Sequence, residues 1–170
     1  MVLILLLVCA FSIWLYLSYV DVSKKRDILL DEYENVINEI EKRDVLLDDI
    51  ITFSQNNIET MKDLIEYIIR LRTEIKNLGI KTEFINRRIA FENELELKAT
   101  SLIEFIKEQQ LAADNSITNV IKSYDDFSII LANKKQEYNK AAGFLRKAVD
   151  VFPTSFLARL NNIKSADYMK

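Results

Sequence analysis

The stretch from Met1 to Val20 contains no charged side chain. Coiled as a helix at about 1.5 Å per residue it reaches roughly 30 Å, the thickness of a bilayer's hydrocarbon. It therefore predicts a transmembrane anchor over residues 1–20. Trp14, Tyr16 and Tyr19 gather at its C-terminal end, and Lys24, Lys25 and Arg26 follow. Amphipathic rings suit the headgroup level and cations suit the water beyond it, so these residues are the candidate membrane interface, with the lipid bilayer as partner. A cleaved signal peptide is the competing reading. It fits less well, because no basic side chain precedes the run and the apolar stretch exceeds the about 7–15 residues of a usual signal core. Cys9 follows Val8 rather than a small residue, so it reads as a buried apolar filler and not as a lipoprotein attachment point. The nearby cations lie on the C-terminal flank, which by the positive-inside tendency keeps residues 21–170 cytoplasmic.

Past the anchor, the scarcity of turn formers decides the fold class. The 170 residues include two Gly and one Pro, too few for the hairpins of a many-stranded sheet. An all-α protein follows. The same composition removes much chemistry: without His, and with Cys9 as the only thiol, neither a Ser-His-Asp relay nor a zinc site can be assembled. Gly79 and Gly143 stand too far apart to make a phosphate-cradling loop. A net charge of −3 offers no broad positive field, which disfavours a nucleic-acid partner. No cofactor and no small-molecule substrate is expected.

Apolar residues recur with helical period. Leu29, Tyr33, Val36, Ile40, Leu47 and Ile50 stripe a first helix ending near Phe53. Ser54 to Asn57 marks either a break or a kink. Ile58, Met61, Ile65, Ile68, Leu71, Ile75 and Leu78 stripe a second helix, closed by Gly79, where a left-handed conformation can end it. Thr82 is a candidate cap for a third helix, striped by Ile85, Ile89, Leu95, Ala99, Leu102 and Ile106 and running to about Leu111. Residues 112–115 read as a turn. Ile117, Tyr124, Leu131, Tyr138, Leu145 and Phe152 then lie seven apart, a heptad seam that stops at Pro153. Short connections favour antiparallel neighbours, so the expected architecture is an N-terminal transmembrane helix (1–20), an elongated antiparallel four-helix bundle (21–152) and a tail with a short helix (153–170).

Tyr138-Asn139, then Phe152-Pro153-Thr154-Ser155-Phe156-Leu157-Ala158, then Tyr168 resemble the C-terminal pattern of the LemA family. The stretch from Tyr19 through Arg26, Leu29, Tyr33, Ile40, Lys42-Arg43 and Leu46 to Ile51 is similar to that family's first helix after the membrane. Asp48 stands where the family usually has Pro, the common Tyr-Pro turn is missing between 109 and 115, and of a third segment only Ala132 and Gln136 match, as in a divergent member. The resemblance implies a bacterial inner-membrane protein with a helical-bundle domain. Its motif residues, Tyr138, Asn139, Phe152, Pro153, Ser155, Ala158 and Tyr168, pack and cap rather than react.

Glu92, Glu94 and Glu96 cluster with Arg87 and Arg88, but without His they cannot supply a di-iron bundle's ligands, and a solvated face is the expectation. Asp48-Asp49 and Asp125-Asp126 read as solvated or as interhelical partners. Tyr124, Phe127 and Tyr138 read as core, with hydroxyls at the bundle edge. The functional expectation is a single-pass, non-enzymatic scaffold or interaction module that binds a protein partner or itself. The alternatives are a secreted or periplasmic structural protein after signal cleavage, and an enzyme working through carboxylates or lysine. An interior lined by convergent charged groups would favour the enzyme, and a dry aliphatic core would speak against it.

Overall fold

The structure, a computed structural model, describes residues 1–79, 82–109 and 115–170, without the side chains at 82 and 115. The expected cap at Thr82, the end near Leu111 and the turn at 112–115 lie outside the described residues. One helix, α1, runs Val2–Asn57 with no break at residue 20. Its residues join span to bundle without Gly or Pro, and a Lys25–Asp21 ion pair at 2.5 Å, one turn apart, bridges the junction. Along the span, the Ser12 and Ser18 hydroxyls donate back to the Val8 and Trp14 carbonyls at 2.8 Å, so neither needs water. Cys9 is exposed, so no other part of the chain encloses it. Val22, by contrast, is 0% exposed, so the bundle begins within two residues of the apolar run.

At the far end the Ser-Gln-Asn-Asn segment is a break rather than a kink. Ser54 and Asn57 side chains bond back to the Ile50 and Phe53 carbonyls, Ile58 is extended, and a short 3₁₀ turn leads into α2, Lys62–Leu78. Gly79 ends α2 at φ 61°, ψ −155°, which has the positive φ of the expectation but not its helical ψ. Next come α3, Ile85–Glu108, and α4, Asn115–Asp150. After Pro153 come α5, Thr154–Leu160, and an irregular tail to residue 170.

Cross-helix pairs fix the directions. Tyr33 meets Tyr138, while Arg43, further along α1, lies over Tyr124, earlier in α4. Glu96 meets Lys135 while Lys107 meets Asp125. Arg72 of α2 reaches Asp44 and Asp48 of α1, and Tyr67 bonds Glu94 of α3. Successive helices are therefore antiparallel, as expected, and Asp48 and Asp125 are interhelical partners.

The four stripes meet in two apolar cores. Leu29, Val36, Ile89, Leu131, Ala142 and Leu145 belong to the one near the apolar run, and Leu47, Ile68, Leu102, Ile106 and Ile117 to the distal one. Burying each Leu, Ile or Val among them stabilises the fold by about 1.5–3 kcal/mol. The short α2 contributes only to the distal core. In the half near the apolar run Ala158, Ile163, Ala166 and Met169 of α5 and the tail complete the packing instead. Phe152 departs from the seam. Helix α4 stops at Asp150 before it, Pro153 lacks the N–H to continue the ladder, and Phe152 stands 67% exposed against Trp14.

Candidate functional site

Around the boundary of the two cores, charged side chains from all four long helices enter the bundle. Helix α1 supplies Arg43 and Asp44, α2 supplies Arg72, α3 supplies Arg88, Glu92 and Glu96, and α4 supplies Lys135. Arg43 is 1% exposed, Arg88 and Glu92 5% and Lys135 7%. Arg43 crosses the interior to Glu96 at 3.7 Å, with its guanidinium 5.3 Å from the centre of the Tyr124 ring. Lys135 bonds the same Glu96 and the Lys170 carbonyl. Arg72 lies 3.8 Å from Asp44 and also bonds Asp48, while Arg88 lies 3.5 Å from Glu92 and donates to the Gly79 carbonyl at 2.7 Å.

This arrangement corrects two expectations. The solvated face expected at Glu92 and Arg88 is buried, because 88, 92 and 96 are successive turns of one helical stripe that faces Tyr33, Arg43 and Asp44 of α1; Arg87 remains exposed and lies over Phe91. The Tyr124 hydroxyl, expected at the bundle edge, is enclosed without a hydrogen-bond partner. The interior is not wholly aliphatic. Burial, followed by the charge of Asp44, pushes the Glu92 carboxyl up to about 7 from its ordinary 4.5. Arg88 and Arg43 pull the other way, and neither Glu92 oxygen has a hydrogen bond. Burial likewise raises Asp44 against the pull of Arg72 and Arg43, and takes Tyr33 and Tyr124 to about 12.

Glu92 can thus exchange a proton near neutral pH. Because its folded-state pKa is raised, its stabilising contribution is complete below about 4.5 and is lost as pH rises through about 7. The shift corresponds to about 3 kcal/mol. In detergent-solubilised full-length protein, stability is expected to fall between pH 5 and pH 8, and Glu92→Gln is expected to flatten that slope to below about 1 kcal/mol. An unchanged slope in urea titrations at the two pH values would locate the titrating group elsewhere.

Among the described residues no three His, Cys, Asp or Glu side chains converge to hold a metal ion. The charged cluster opens at Glu96, which lines a surface cavity of about 620 Å³ with Glu94, Lys98 and Lys170.

Beside the cluster, the tail is held by side chains standing in for a strand. Asn139 donates to the Met169 carbonyl and accepts from its amide, both at 2.8 Å. Tyr138 donates to the Asp167 carbonyl at 3.0 Å, and Asn86 and Asn93 accept from the amides of Asp167 and Lys170 at 2.9 Å. Elsewhere in the expected motif Pro153 and Ala158 are buried, Ser155 is half-buried and Tyr168 lies under Arg146 at 5.7 Å. At the membrane end Trp14, Tyr16 and Tyr19 are exposed; Lys24 is exposed, Lys25 pairs with Asp21, and Arg26 with Asp27 at 2.8 Å.

The family model for LemA matches residues 32–170. The chain belongs to the LemA family. The match takes in the whole charged cluster and the tail latch, whereas the resemblance between Tyr19 and Asp31 lies outside it. Neither the curated proteins nor the solved structures include a match to this LemA chain. In this LemA domain Tyr138 and Asn139 latch the tail over the bundle. Asn139→Ala is expected to lower stability by about 1–3 kcal/mol by leaving both Met169 backbone groups unpaired. Faster hydrogen exchange confined to residues near 169 would accompany it, and unaltered exchange there would contradict the latch.

Arg43, Lys135, Asn86 and Asn93 escaped the sequence reading. The signal for the charged pair was a set of interruptions: the α1 stripe skips from Ile40 to Leu47 around Arg43, and the α4 seam, which elsewhere has Ile121, Phe127 or Ala142 between its heptad positions, has Lys135 between Leu131 and Tyr138.

Proposed function

We propose that this LemA protein is a single-pass protein of the bacterial inner membrane whose cytoplasmic bundle is a non-enzymatic scaffold or interaction module. The observation carrying this reading is the unbroken helix α1, which holds the bundle in a fixed attitude at the bilayer instead of on a loose tether. A rigid mount of this kind suits a module that presents lateral surfaces to a partner or to a second copy. The basic residues after the span support the cytoplasmic orientation, since neighbouring Asp21 and Asp27 count little in the positive-inside tendency. Protease added outside spheroplasts is expected to leave the bundle intact, and its digestion from that side would reverse the orientation. Photo-cross-linking in native membranes is expected to capture a protein neighbour or a dimer, and recovery of neither would count against the scaffold.

The charged interior favours a second reading, an enzyme working through Glu92 or Lys135. Against it, Lys135 is held by Glu96, Arg88 lies within ion-pair distance of Glu92, and both Glu92 oxygens are enclosed. Charge held this way suits fixing the register of the helices more than meeting a substrate. Neighbour capture that persists in Glu92→Gln supports the scaffold.

A further inference from the structure

The corner between α4 and α5 is apolar and open. Val151 is 60% exposed, Phe152 67%, Phe156 53% and Leu160 67%. Phe156 and Leu160, four apart, share one face of α5. The Phe152 ring lies 6.0 Å from that of Trp14, which belongs to the charge-free run rather than to the bundle. Trp14 precedes Val20 by about 9 Å of helix at 1.5 Å per residue. A span seated in lipid therefore carries Phe152 below the level at which the run ends, within the 5–10 Å or so that interfacial apolar groups occupy. Exposed Lys147 and Arg159 flank the corner in sequence, as suits the headgroup level.

We propose that the α4–α5 corner, through Val151, Phe152, Phe156 and Leu160, is a second membrane contact seated in the interface of the same bilayer that α1 crosses. The inference rests on the anchor reading and goes beyond it: the bundle touches lipid at two points, which fixes its rotation about α1. The occupant is lipid because the patch is continuous with the apolar surface of the span through Trp14 and Phe152.

Trp14 is the only tryptophan, so fluorescence separates the two claims. Full-length protein is reconstituted into phosphatidylethanolamine–phosphatidylglycerol vesicles with and without bromine on the acyl chains. The native chain reports the span, Phe152→Trp in a Trp14→Phe background reports the corner, and Leu97→Trp in that background is the control on the α3 surface, 63% exposed. Trp14 is expected to be quenched, Trp at 152 quenched to within about a factor of two of it, and Trp at 97 unaffected. Phe156→Trp gives a second corner reporter should the 152 variant fold poorly, and its quenching carries the same meaning. Quenching of Trp14 with none at 152 or 156 overturns the corner contact and leaves the anchor standing. Shielding at 152 from both bromolipid and aqueous acrylamide also overturns it, by showing a protein cover. Absence of quenching at Trp14 overturns the anchor, and the corner contact with it.

Discussion

Arg43→Ala is expected to destabilise the bundle by about 3–5 kcal/mol, the usual consequence of removing one partner from a buried ionic cluster. Arg43 is 1% exposed and faces Glu96 across the interior, with Asp44 and Glu92 near enough to feel its charge. Without it, those carboxylates keep only Arg72, Arg88 and Lys135, and the Tyr124 ring loses the cation packed on its face. Arg43→Lys retains the charge but not the planar group over Tyr124, and is expected to cost less. Denaturant titration of the full-length protein in micelles measures both. A loss below about 1 kcal/mol for Arg43→Ala would show the cluster open to water.

Leu131→Asp is expected to be at least as damaging, about 4 kcal/mol or more, because it places a carboxylate in the core near the apolar run. Leu131 is 1% exposed in that core. The cations three and four residues on are already engaged, Lys134 with Glu137 at 3.0 Å and Lys135 with Glu96 and the Lys170 carbonyl. Leu131→Ala loses only packing and is expected to cost about 3 kcal/mol, so the order of the two variants separates cavity from charge. An unchanged melting temperature for Leu131→Asp would mean that α4 presents another face to the core.

The helices were legible because stripes such as Leu29–Tyr33–Val36–Ile40 and Ile85–Ile89 follow one period on one face, and every member just named is buried. The charged cluster was not, because a charged residue in a stripe looks like solvent until three helices are superposed. The charges at Arg43, Glu92 and Lys135 become one cluster only once α1, α3 and α4 are folded together, with Arg43 and Lys135 both reaching Glu96 and Arg88 beside Glu92. The tail was legible in its order but not in its role. Asn139 serves as a pair of backbone hydrogen bonds for Met169, thirty residues away, and nothing local to either residue announces that. The seam misplaced Phe152 because heptad spacing continues past Asp150, whereas the helix does not.

The continuity of α1 from the apolar run into the bundle is tested most directly by electron–electron distance measurement between spin labels at Leu17 and Glu41, in a Cys9→Ala background and in bilayers. One unbroken helix requires a single narrow distribution near about 36 Å, at 1.5 Å per residue. A broad or markedly shorter distribution would contradict it, placing a hinge between span and bundle.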